Sequence, residues 1–304
     1  LFRLHGRQRL ELRREPDVSE PAIGVLGGSG FYDLPGVTEL ETVEIETPFG
    51  RPSDALTRGR LADRRVVFLP RHGRGHRLLP TEVNTRANLY ALKQLGATHV
   101  ISVSAVGSLR EAIAPGDVVV PRQFIDRTVG RPATFFGDGV VAHVSLADPV
   151  CARLGDALVA AARSQTERVH AAATYVCIEG PQFGTRAESE LMRAWGGDVV
   201  GMTNLPEARL AREAELCYAT LALPSDYDCW RPRDEVTVTD ALAVLRANVA
   251  AAQQILARAL AALDPTTSCS CQRNLDHALV TPATAIGPTT HARLGLLLAR
   301  RLGH

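Results

Sequence analysis

The sequence predicts one α/β domain, and two observations carry that prediction: strands alternate with helices over roughly 240 residues, and each strand ends in Gly, Ser, Thr or Asp. In such folds ligands bind outside the carboxyl ends of the strands, so the residues at those ends are the first candidates for chemistry. The domain is expected over residues 22–263, between an N-terminal extension (1–21) without periodicity and a C-terminal tail (264–304) that ends in a short Leu/Arg helix.

Taken in order, the apolar run 23–26 is a strand that enters Gly27-Gly28-Ser29-Gly30, a turn able to wrap an anion with backbone amides. Residues 66–69 form the next strand and hand on, after Pro70, to Arg71-His72-Gly73-Arg74-Gly75-His76, whose four basic side chains make a candidate anion site. Apolar residues at helical spacing over 84–95 stop at Gly96, and the buried strand 98–103 opens into the small-residue turn 104–108. Further strands are expected at 118–120, 174–178, 199–200 and 217–223, with helices at 149–163, 206–214 and 241–263.

Charge and composition narrow the function. With 45% apolar and 22% charged residues, 304 residues can bury a large core, and a net charge of +1 supplies no field for a nucleic-acid backbone. Small-molecule partners are therefore expected, with no nucleic acid and no membrane. No run reaches the length of a membrane span and the basic opening has no cleavage signal, which points to the cytoplasm. Six cysteines are too sparse for a secreted disulfide framework. Cys151, Cys177, Cys217 and Cys229 sit in or beside apolar runs and read as buried thiols. Cys269-Ser270-Cys271 reads as a redox or structural pair, and no metal is expected because no second Cys or His pair stands at zinc-finger spacing.

The run Asp226-Tyr227-Asp228-Cys229-Trp230 follows the last strand and places two carboxylates at a pocket rim. A carboxyl group at the edge of an apolar pocket can keep its proton near neutral pH and give it to a heterocyclic nitrogen, as a purine leaving group requires.

Together with Gly-Gly-Ser-Gly-Phe-Tyr-Asp (27–33), Thr-Pro-Phe-Gly-Arg-Pro-Ser-Asp (47–54), Pro-Arg-His-Gly-Arg-Gly-His (70–76), Gly-Ser-Leu-Arg-Glu (107–111), Arg-Gln-Phe-Ile-Asp (122–126) and Ile-Glu-Gly-Pro-Gln-Phe (178–183), this chain resembles the 5′-methylthioadenosine phosphorylases of the purine nucleoside phosphorylase superfamily. The resemblance runs from about residue 22 to 263. It implies a three-layer α/β/α domain with a central mixed sheet, and phosphorolysis of the nucleoside to adenine and 5-methylthioribose 1-phosphate with inversion. It assigns Ser29, Arg71, His72, Ser104, Ala105 and Thr203 to phosphate, and Phe183 and Met202 to base and ribose. Asp226, Tyr227 and Asp228 are assigned to the purine edge, with Asp226 or Asp228 as the acid that protonates N7. No cofactor is implied, inorganic phosphate being a co-substrate.

Specificity is read from the same resemblance. Paired Asp suits the 6-amino group of adenine, where relatives that prefer 6-oxopurines carry Asn. Relatives acting on 5′-hydroxyl nucleosides use a His that residues 230–263 lack, and Val238 near that place suits a methylthio group. His143 matches a position donated across a subunit interface, and trimers, or hexamers built from them, are implied. Gly184 departs from the Ser of animal members, and the Cys-x-Cys pair resembles microbial members, some of which are disulfide-stabilised. The competing readings are a 6-oxopurine or methylthioinosine phosphorylase, a hydrolytic nucleosidase, and a nucleoside-binding protein without catalysis.

Overall fold

The computed structural model describes residues 20–27, 35–231 and 238–302, apart from the side chains at 238 and 240–248. Among these, nine strands form one mixed sheet: β1 (Ala22–Gly27), β2 (Thr38–Val43), β3 (Leu56–Leu61), β4 (Arg64–Pro70), β5 (Ala97–Ser108), β6 (Val118–Arg127), β7 (Val169–Ile178), β8 (Val199–Gly201) and β9 (Cys217–Asp226). Their spatial order is β2-β3-β4-β1-β5-β8-β7-β6-β9, and a further β5–β9 pairing closes the second half of the sheet into a ring. β1 runs parallel to β4 and β5, whereas β3 is antiparallel to both its neighbours.

Helices cover both faces, giving the expected three layers. α1 (Thr85–Gln94), α4 (Asn204–Glu213) and α6 (Pro288–Leu302) pack on one face, and α2 (Ala152–Arg163) and α5 (Val238–Ala262) on the other. β9 shows why its sequence is a continuous apolar run: Tyr218 and Ala222 enter the first core, Cys217, Ala219, Leu221 and Leu223 the second. Among the described residues no helix is long and apolar enough to cross a membrane.

The structure corrects several sequence expectations. Residues 104–108 are not a turn but the continuation of β5, because they still pair with β9 and then with β8. β2 and β3 carry too many polar residues to announce themselves: β2 is exposed along most of its length. α3 (Arg186–Ala194) was legible in a Thr-x-x-Glu signature that the periodicity reading passes over; Thr185 and Glu188 close a reciprocal capping box. The segment after residue 264 is no loose tail. Its Leu275, Ala278, Leu294, Leu297 and Leu298 are buried in the first core. Nor are the cysteines arranged as their spacing suggests. All six are free thiols, and Cys269 and Cys271 fold against Cys151 and Cys217, a second pair that sequence distance conceals.

Leu298 is fully buried in α6, so Leu298→Ala is expected to lower the unfolding free energy by about 2–5 kcal/mol through lost burial and the cavity left behind. Urea titration of the full chain measures this, and an unchanged midpoint would mean that α6 lies loosely on the core.

Candidate active site

Three strands meet at Gly107. It stands opposite Asp226 of β9 and opposite Val200 of β8, so the carboxyl ends of β5 and β9 lie side by side where the acidic run begins. A Cβ at Gly107 would lie 3.0 Å from Asp226 Oδ1 and 3.2 Å from Asp228 Cβ, so any side chain there would press on the acidic pair. Trp230 seals the same turn by donating from Nε1 to the Ser108 carbonyl at 2.8 Å.

The two carboxylates are held by different donors. Asp226 accepts from the Ser225 hydroxyl at 2.7 Å and from the Asp228 backbone N–H at 2.8 Å. Buried Asp228 accepts from the Ser189 hydroxyl at 2.5 Å and adopts φ +52°, a left-handed conformation that Asp tolerates better than most residues. Burial pushes both carboxyls above the usual range, and the donors from Ser225, Ser189 and the backbone only partly offset it. Tyr227, between them, is half-buried under the Arg231 guanidinium, 4.0 Å from its ring centre.

At the other side stands a hydroxyl cluster. Ser104 Oγ lies 2.9 Å from Thr203 Oγ1 and 3.2 Å from the Tyr175 hydroxyl, so β5, β7 and the start of α4 converge on one point. Next to it Ala105 is exposed. His72 is buried, stacks on His76 at 4.4 Å, and bonds from Nδ1 to the Leu78 carbonyl at 2.9 Å. A carbonyl only accepts, so Nδ1 carries the proton and Nε2 the lone pair. Burial first, then the charge of Arg71, press the imidazole down to about 4.

Arg71 departs from the picture of a guanidinium held out for phosphate. It is buried, with Nε 2.5 Å from Glu207 Oε1, Nη1 donating to the Val103 carbonyl at 3.0 Å and Nη2 to Ser102 Oγ at 2.6 Å. Burial opposes its charge, but Glu207 outweighs burial and holds the guanidinium above its usual range. The other N–H of Nη2 donates to the Leu26 carbonyl at 3.3 Å, so among the described residues only a second N–H on Nη1 is left over for an anion.

The remaining candidates are placed less closely. Phe183 is 52% exposed on the connection from β7 to α3. Met202 lies against Gly180, where a Cβ would come within 2.5 Å of its sulfur and φ is +69°. His143 is exposed and its backbone N–H bonds the Ala278 carbonyl at 2.8 Å. Ser29 and the side chain of Val238 lie outside the described residues. Sequence reasoning missed the supports. Arg131 donates to the Met202 carbonyl at 2.6 Å and the Leu205 carbonyl at 2.9 Å, and Glu207, Tyr175, Ser189 and Ser225 hold other site groups. Their signals are weak because they are ordinary polar residues far apart in sequence.

The profile of the family described as "Phosphorylase superfamily" matches residues 22–261. The S-methyl-5'-thioadenosine phosphorylase of Geobacter sulfurreducens is 54% identical over 281 residues, 92% of this chain and 98% of that protein. The chain belongs to the phosphorylase superfamily. Within it, similarity to methylthioadenosine phosphorylases extends to solved structures: one sourced from an antarctic soil metagenomic library superposes with a TM-score of 0.88 at 49% identity, covering 92% of this chain and 99% of the other. A Schistosoma mansoni adenosine/methylthioadenosine phosphorylase mutant, solved in complex with methylthioadenosine, gives 0.77 at 38% identity, covering 92% and 98%.

Two predictions follow from the buried groups of this phosphorylase. Glu207→Ala strands the Arg71 charge and is expected to remove about 3–5 kcal/mol of unfolding free energy, read by urea titration; a loss under about 1 kcal/mol would show that water reaches the guanidinium. For His72, the folded value of about 4 lies below the unfolded 6.5, so the unfolded chain binds more protons between them. Stability is therefore expected to fall as pH drops from 6.5 towards 4, and to fall less steeply in His72→Asn, which keeps an N–H for Leu78. Parallel slopes for the two proteins would remove His72 as the titrating group.

Proposed function

We propose that this protein catalyses phosphorolysis of 5′-methylthioadenosine, as a pentosyltransferase that releases adenine and 5-methylthioribose 1-phosphate. The observation that carries this reading is the pair of carboxyls Asp226 and Asp228, raised above the usual carboxylate range by burial, at the strand ends of a chain half identical to proteins named for that activity.

Phosphate is held by Ser29, the Ser104 and Thr203 hydroxyls, the end of β5 at Ala105, the remaining N–H of Arg71, and His72. Neutral His72 accepts at Nε2 from the P–OH of hydrogen phosphate, so the buried imidazole needs no charge. A phosphate oxygen attacks the anomeric carbon as the bond to N9 breaks, and the electron pair leaves with the purine. Asp226 or Asp228 gives its proton to N7, which lowers the barrier by neutralising the departing base. The anion beneath the ribose stabilises the cationic sugar in the transition state. Phe183 and Met202 present apolar surface to base and sugar, Tyr227 borders the purine edge, and Val238 lines the methylthio end. His143 reaches the site of a neighbouring subunit in a trimer, whose symmetry makes each site a shared one. The protein acts in the cytoplasm and needs no cofactor for turnover.

Incubating the protein with methylthioadenosine, with and without phosphate, tests the reaction. Adenine should appear only with phosphate, together with the sugar 1-phosphate; free 5-methylthioribose formed without phosphate would identify a hydrolase instead. Replacing the proton donor, by Asp226→Asn or Asp228→Asn, should lower kcat by about 10²–10⁴ while calorimetric phosphate affinity stays unchanged. Full turnover in both variants would end the acid role of the pair.

A further inference from the structure

The sulfur atoms of Cys151, Cys217, Cys269 and Cys271 lie within 4.8 Å of one another, with Cys151 Sγ 3.7 Å from Cys269 Sγ. They come from three places in the chain: the residue that caps α2, the first residue of β9, and the 3₁₀ turn at Ser270–Arg273 with the residue before it. Three are buried and Cys269 is half-buried, and none is disulfide-bonded. We infer that this cluster is a structural tetrathiolate site for one zinc ion.

Geometry selects the ion. Zinc binds thiolate sulfur at about 2.3 Å, which puts the four corners of its tetrahedron about 3.8 Å apart. The Cys151–Cys269 separation already meets that edge, and every other pair of these sulfurs lies within 4.8 Å. An iron–sulfide cluster places several atoms between its thiolates and would spread them further. Magnesium and calcium take oxygen, which this set does not offer. Two disulfides would draw the sulfurs into separate pairs at about 2.05 Å, whereas the observed cluster keeps all four mutually close.

The surroundings suit thiolates. Cys269 Sγ accepts the backbone N–H of Gln272, and Cys151 stands at the N-terminus of the twelve-residue helix α2, where N–H dipoles favour negative charge. Arg212 directs Nη1 to Cys271 Sγ at 3.5 Å, a guanidinium against the net negative charge of four thiolates on a divalent ion. Cys217 opens β9 while Asp226 closes it, so ten residues of strand, roughly 30 Å, separate the sulfurs from the acidic pair. Four protein ligands leave no open position for substrate. The ion would therefore fasten the segment after α5 to the starts of α2 and β9. Two of its ligands lie beyond residue 261, where the match to the superfamily profile ends.

Metal analysis of the full chain, purified under reducing conditions without chelator, tests this directly. About one equivalent of zinc per chain is expected, and Cys271→Ser or Cys269→Ser should lower it at least about tenfold. Because those variants can misfold, cobalt(II) exchanged into the parent protein supplies an independent readout: strong sulfur-to-cobalt charge-transfer absorption with tetrahedral d–d bands supports four thiolate ligands. Stripping the ion with a chelator should also lower the thermal midpoint. Zinc far below stoichiometry with all six thiols titratable, two disulfides by mass, or stoichiometric iron would each overturn the assignment.

Discussion

The buried ion pair of Arg71 and Glu207 is the constraint on which the site depends. A guanidinium removed from water must find its counter-charge and its acceptors inside the protein, or the fold loses more than the pair can return. Here Glu207 also accepts from Ser102 at 2.8 Å and from the Tyr218 hydroxyl at 2.9 Å, and Asn204 donates to both of those hydroxyls at 3.0 Å. One network thereby fixes the end of β4, the middle of β5, the start of β9 and the first turn of α4. Thr203 immediately precedes that turn, so its 2.9 Å approach to Ser104 follows from where the network holds α4. The Ser104–Thr203 hydroxyl pair is positioned by a charge pair that is itself almost fully committed.

Burial acts on the two ends of the site in opposite chemical directions with one physical result. It lowers the His72 imidazole and raises the Asp226 and Asp228 carboxyls, and in each case the neutral form gains. Arg71 and Glu207 cancel one another. In the proposed reaction, phosphate would then supply negative charge next to the sugar. On that proposal the co-substrate stabilises the cationic sugar, while the protein supplies orientation and a proton.

Much of this was readable in the chain, and the exceptions share a cause. Alternating strands and helices gave the architecture, because strands buried on both faces are uninterrupted apolar runs and helices show their period. The acidic run at Asp226, the hydroxyls of Ser104 and Thr203, and the basic run at Arg71 stood out as motifs. Whether Arg71 faces phosphate or Glu207 was not readable, since the two are 136 residues apart and only the sheet brings them together. The same holds for Ser189 on Asp228, and for the thiol cluster, whose members are adjacent in space across the first residue of β9, a helix cap and a turn. β2 and β3 escaped notice for the opposite reason: their pairing is real, but exposure lets polar residues occupy them.

The strand register explains how Asp226 comes to stand beside Gly107. Val106 pairs with Pro224 and Gly107 with Asp226, so Ser225 is an extra residue on β9, a bulge at the edge of the pairing. Proline fits there because it has no N–H to give to the ladder. The inserted residue is not idle: the Ser225 hydroxyl bonds Asp226 and lies 3.4 Å from the Val106 carbonyl. Successive strand residues point to opposite faces, so one extra residue reverses the side to which the following carboxylate is aimed. The placement of Asp226 beside Gly107 is thus a product of backbone register as much as of residue type, and glycine at 107 leaves the space that this close approach uses.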